Sequence, residues 1–383
     1  MPFVSSSEPP TLVPQKKMGR NEKCWCLSQK KWKNCHSDKN KKAPMKISDG
    51  FSVEKESISA SSECLHPNKC HNKPISSHTV QKSIGLNAIS RDNHVMTFMT
   101  GLNGVTRNEG RLKATKKGIK TASTFPGFCS AHDGELFAPI ETKEWINCKE
   151  NAFLFSLRAA SYEIYSKKRS LFSAEFLKEN ADNGKEFHEQ IEIQNKISVY
   201  IYGIKMGIQD GKLWKKSYDE CYLSGNYHNY HYLSIETKTP LPICGCGAFH
   251  VDYDFEGNLL QDLMETSKNI QHLTINATSN LNRGLIVFGW IGDPNGPARK
   301  FLESFEKIPQ DQKINSVIKI FFEYIENTYF KEEWWESLSD QDRFSIENRV
   351  NYTAKMNDRK PNALKEDSLD LFQCEFTNSG IVI

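Results

Sequence analysis

The chain has 383 residues, of which 38% are hydrophobic and 25% charged. That excludes wholesale disorder and leaves room for two globular units beside a small module. No stretch approaches the roughly 18 apolar residues needed to span a bilayer, and the start MPFVSSSEPPTLVPQKK lacks a secretory signal's apolar core, so no membrane anchor and a cytoplasmic location are expected. The net charge of +3 is unevenly spread, because residues 1–50 carry 11 Lys/Arg against 4 Asp/Glu, or +7, leaving −4 for the remainder. The 11 cysteines are odd in number and several stand in tight C-x-C spacings, which in a reducing compartment marks metal ligation rather than a disulfide framework.

Residues 1–18, rich in Ser, Pro and Lys, read as a disordered leader. Residues 19–38 follow as a small zinc module. Cys24, Cys26, Cys35 and His36 form two close pairs separated by the polar loop LSQKKWKN, which must reverse direction for the pairs to complete one tetrahedron. So short a peptide has no oily interior, and the metal would supply most of its folding energy. The stretch GRNEKCWCLSQKKWKNCH resembles the SEC-C motif, the metal-binding tail of the bacterial translocase motor SecA, which also occurs as an accessory module elsewhere. The matching positions are Gly19, Arg20 and Asn21, the four ligands, and Lys30, Lys31 and Lys33 around Trp32. Leu27 and Gln29 replace glycines of that motif, Trp25 replaces a proline, and Glu22-Lys23 replaces Asp-Pro. A left-handed backbone at Leu27 would cost more than at glycine. The resemblance implies a docking element whose lysines meet an acidic partner.

Residues 39–63 are Ser-, Lys- and Asn-rich and read as a linker that tethers the module without packing it. Residues 64–143 form a Cys/His-rich unit with little continuous apolar pattern. Cys64 and Cys70 make a knuckle-like pair, and Cys129 and His132 sit at the expected start of a helix, the construction of a treble-clef zinc site. His66, His71, His78 and His94 leave the ligand set open, and buried cysteines in an ordinary fold are the alternative. Between the pairs lie a short strand HVMTFM and a basic patch of Arg107, Arg111, Lys113, Lys116, Lys117 and Lys120. The patch suits phosphate or an acidic protein surface, or is a solvated loop. The order of pair, ISSHTVQKS, basic segment and second pair loosely resembles the HNH endonucleases. That resemblance implies His78 as general base and Mg2+ neutralising the developing phosphate charge. Otherwise His78 is a zinc ligand or a surface residue.

The rest, 144–383, is expected to be α+β. Two helices, at 143–178 and 185–208, form an antiparallel pair within 144–210. Strands YHYLSIET, CGAFHVDYDF, HLTINAT and LIVFGWIG fill 229–292 and, joined by short turns, are antiparallel. Helices at 298–307, 311–330 and 339–356 close the chain, before a tail without a clear pattern. Cys244 and Cys246 read as strand residues, Trp334 and Trp335 as core, and the turn at 292–296 as no phosphate loop. No Walker motif, dinucleotide fingerprint or nucleophile elbow occurs. As a whole the chain resembles uncharacterised bacterial proteins that join a SEC-C segment to a Cys/His-rich unit and an α+β domain.

Two functions fit these residues. One is a cytoplasmic zinc-binding protein whose basic modules recognise nucleic acid or an acidic partner. The other is an HNH-type metal-dependent nuclease in defence against foreign DNA.

Overall fold

A computed structural model of the chain describes residues 9–99, 111–141, 145–263, 265, 269–354, 359–365, 367 and 369–382. Its centre is a sheet in which β5 (Tyr230–Thr237), β6 (Ile243–His250), β7 (His272–Ser279) and β8 (Gly284–Ile291) pair antiparallel in the order 5-8-7-6. Alternation along each strand splits the apolar side chains between two faces. Leu233, Ile235, Ile286 and Phe288 join one core, while Tyr230, Tyr232, Leu285 and Val287 join another. Helices therefore cover both sides.

On one face lies a helical hairpin, α3 (Lys149–Asn180) and α4 (Phe187–Ser224), preceded by α2 (Ser130–Glu141). The other face is covered by α5 (Pro297–Glu306), α6 (Lys313–Tyr324), α7 (Glu332–Ser337) and α8 (Asp340–Ala354). Trp334 and Trp335 are buried there, and Cys244 and Cys246 are fully buried on β6. No helix among the described residues is long and apolar enough to cross a membrane.

Five expectations need correction. The second long helix does not stop at Ile208. It continues for four more turns because Trp214, Tyr218 and Cys221 extend its buried face, and it ends at Gly225, whose φ of 66° makes the left-handed cap. The helix expected over 311–330 ends at Tyr324, where Ile325 turns extended and the chain enters β9 (Thr328–Phe330). Residues 64–143 are not a separate unit: β2 (His94–Phe98) and β3 (Ala114–Gly118) extend the large sheet through Met96 beside Phe330 of β9. The uncharacterised tail supplies β10 (Phe376–Val382), which pairs with β5 at the opposite edge.

The fourth concerns the tether. Within 39–63 lies α1 (Ile47–Ala60), started by the Lys46 N–H donating to Asp49 Oδ2 at 2.8 Å. It packs on α3 through Val53 and Ser57, both buried, and through an ion pair of Glu54 with Arg169 at 3.5 Å. Part of the leader is also ordered, since Leu12 is buried against Cys24, Trp25 and Cys26.

Candidate metal centres

The first cluster is built by a backbone that doubles back. The Cys24 N–H donates to the Lys30 carbonyl at 2.9 Å and the Trp32 N–H to the Glu22 carbonyl at 2.8 Å, closing the loop. A one-turn 3-10 segment, Trp32–Asn34, then delivers Cys35 and His36, whose N–H groups both donate to the Trp32 carbonyl. Leu27 and Gln29 do adopt the left-handed backbone, each at φ 61°. His36 Nδ1 lies 3.2 Å from Cys24 Sγ and 3.1 Å from Cys35 Sγ, and Cys26 Sγ lies 3.5 Å from Cys35 Sγ. Hydrogen bonds to Cys26 and Cys35 raise the Cys24 thiol, while those from Cys24 and Cys35 lower Cys26.

The other ring nitrogen of His36 is held from 146 positions away: Nε2 meets Asp182 Oδ2 at 2.9 Å, in the turn between α3 and α4. Lys39 Nζ lies 2.8 Å from the other oxygen of the same buried carboxylate. Burial opposes protonation of His36, but Asp182, Cys26 and Cys35 outweigh it and raise its pKa to about 10. A carboxylate behind the distal nitrogen fixes ring orientation and is the usual outer support of a metal-bound histidine. Asp182 carried no signal in the sequence. Trp25 did, as the residue standing where the SEC-C motif has proline: it is buried, 4.5 Å from the His36 ring and 5.9 Å from Phe187 on α4. The module is therefore packed on the hairpin and not merely tethered.

The second cluster joins two hairpin ends. β1 (Pro74–His78) pairs antiparallel with β4 (Thr124–Cys129), which runs directly into α2. The Leu65 N–H donates to the Gly127 carbonyl at 2.8 Å and so sets the Cys64–Cys70 knuckle beside β4. His132 Nδ1 lies 3.3 Å from Cys64 Sγ and 3.4 Å from Cys70 Sγ, and Cys70 Sγ lies 3.8 Å from Cys129 Sγ. The backbone N–H of His132, at the helix start, lowers the Cys129 thiol, which favours the thiolate a metal requires.

In each cluster the four ligand atoms lie within 4.8 Å of one another. A tetrahedron with Zn–S about 2.3 Å and Zn–N about 2.05 Å has edges of roughly 3.5–3.8 Å, so both donor sets fit one ion. Residues 20–38 match the SEC-C motif. Two Cys3His sites that could hold a metal thus occur in one chain, the first inside the SEC-C match and the second outside it. No curated protein and no solved structure matches the chain.

The spare histidines fall outside both donor sets. His66 stacks on the His132 ring at 3.9 Å, His71 is exposed, and His94 Nδ1 lies 2.7 Å from the Asp92 carbonyl oxygen. His78, at the end of β1, has Nε2 3.3 Å from the Ile119 carbonyl oxygen, and burial lowers its pKa. Asp133, on the first turn of α2, is raised by burial, opposed by the nearby Ser77 hydroxyl and by the charges of Arg158 and His78.

The basic residues are unevenly committed. Lys30 pairs with Glu179 of α3 at 2.6 Å, so the acidic surface it meets belongs to its own chain, whereas Lys31 and Lys33 are exposed. Lys116 pairs with Glu332 at 2.5 Å, and Lys117 is half-buried 5.9 Å from the Tyr329 ring centre. Arg111 donates to Asn348 at 3.2 Å, Lys113 and Lys120 are exposed, and Arg107 lies outside the described residues.

Proposed function

We propose that this chain is a zinc-binding recognition protein of a reducing, cytoplasmic compartment. In this reading two zinc ions fasten its modules and the exposed Lys31, Lys33, Lys113 and Arg111 engage a polyanionic surface, nucleic acid or acidic protein. The observation that carries it is the gathering of two Cys3His donor sets, each with all four ligand atoms within 4.8 Å. Elemental analysis of the pure protein is expected to find two zinc ions per chain, and one in Cys24→Ser. Binding to a DNA duplex or to polyglutamate is expected to weaken steeply with salt and in the Lys31→Glu/Lys33→Glu double variant, since counterion release follows each cation engaged. A metal-free wild type, or binding insensitive to salt, defeats the reading.

A second reading, an HNH-type endonuclease, is favoured by one arrangement: two antiparallel strands, the first ending at His78, lead into a helix with a Cys3His cluster at the junction. His78 would then take the proton from attacking water while Mg2+ neutralised phosphate charge. Asp133, within electrostatic reach of His78, would be the nearby carboxylate. Cleavage of DNA with Mg2+ or Mn2+, lost in His78→Ala, supports this reading. Equal inactivity of both proteins removes it.

A further inference from the structure

A cavity of about 280 Å³ lies between α3 and the sheet, roofed by the chain just after β1. It is remote in kind from both metal clusters, since none of their eight ligands lines it. Thr274 shows which strand face meets the helix, because its hydroxyl donates to Ser156 of α3 at 2.7 Å; Asn276, two residues on, belongs to that same face. Arg158, two residues beyond Ser156 on α3, and Asn276 are both buried, and with Trp145 they line the cavity.

Three buried polar atoms of these lining residues have no hydrogen-bond partner among the described residues: Arg158 Nε, Asn276 Nδ2 and Trp145 Nε1. All three are N–H donors. Buried donors left unmade cost on the order of 1–3 kcal/mol each, so three belonging to residues of one cavity call for an acceptor there. The other end of Arg158 is already used: Nη2 donates to Glu141 at 2.6 Å and the guanidinium lies 3.9 Å from the Phe137 ring. Arg283 is likewise paired with Glu236 at 2.9 Å. The charged residues lining the cavity are Arg158, Arg283 and Glu236, and each arginine already has a carboxylate partner, Arg158 with Glu141 and Arg283 with Glu236. The remaining walls are mixed: Phe155, Ile84, Ile140 and Leu285 are apolar, while Asn151, Thr278 and Asn280 add polar surface.

We propose that this cavity binds a small organic monocarboxylate, its oxygens accepting from Arg158 Nε, Asn276 Nδ2 and the Trp145 indole, and its apolar body against Phe155 and Ile140. A dianionic phosphate would bury a second negative charge beside two arginines that are already paired with carboxylates.

The test uses the full-length protein and ligand-observed NMR with a panel of benzoate, phenylacetate and hexanoate at millimolar concentration, alongside the matching neutral amides and phenyl phosphate. Saturable binding of a carboxylate but not of its amide is expected. It should weaken about tenfold or more in Asn276→Leu, the loss typical of one hydrogen bond to a charged group. Should Asn276→Leu fail to fold, the wild-type indole N–H signal of Trp145, identified by its loss in Trp145→Phe, is expected to shift on titration with the same carboxylate. No binding by any of the three acids, binding equal to that of the amides, preference for phenyl phosphate, or an indole signal that stays still overturns the proposal.

Discussion

Leu27 and Gln29 hold the zinc-knuckle loop in a conformation that ordinary side chains resist, both at φ 61°. The left-handed region costs an L-residue roughly 1–2 kcal/mol, and glycine avoids that at some expense of chain entropy. Leu27→Gly and Gln29→Gly are each expected to tighten metal retention by about 1 kcal/mol, roughly fivefold in a chelator competition, whereas Leu27→Ala should not. Asp182 works in the opposite sense. Its carboxylate braces His36 and neutralises Lys39, both at under 3 Å. Asp182→Asn should therefore lower metal affinity of the first cluster roughly 10–100-fold, measured by the same competition. Loss of the exposed Lys30–Glu179 pair in Glu179→Gln should change it little, as surface pairs contribute about 0–1 kcal/mol.

At the scale of elements, local chemistry was the legible part. Both Cys3His donor sets and the four central strands could be read from residue type and spacing, because ligand pairs and period-two alternation are local signals. The pieces that escaped depend on distant partners. α1 looks like a polar linker because, among its described side chains, Val53 is the one buried residue with a large apolar side chain, beside Gly50 and Ser57, and the helix packs on α3. β9 spans only Thr328–Phe330, too short to show an alternation, and exists because β2 and β6 flank it. The helix α4 runs past its expected end at Ile208 and through Gly211. In the fold this glycine is a close approach: a Cβ there would stand 3.1 Å from Ile164 Cγ1 on α3. Gly211→Val should thus overpack the hairpin and destabilise the protein by about 1–3 kcal/mol, seen as a lower urea midpoint.

For the molecule as a whole, acid is the expected weakness. His272 is fully buried, stacked 4.2 Å from Trp214 and 3.0 Å from the Tyr218 hydroxyl, and burial pushes its pKa down to about 3. A histidine depressed in the folded state stabilises it above the unfolded pKa of about 6.5, and that contribution is lost as pH falls from there towards 3. Each unit in that window should remove about 1.4 kcal/mol per such group, and His231 and His250 shift the same way through burial. Urea unfolding at pH 7 and pH 5 reads the slope, which His272→Phe should flatten. Finally, α4 touches both metal modules, Phe187 against Trp25 at one end and Tyr222 against His66 at the other, roughly 50 Å apart at 1.5 Å per residue. One stiff rod is thereby riveted independently at each tip. A chelator should release its two ends in separate steps, so that the chain passes through a half-loosened form whose sheet is still whole.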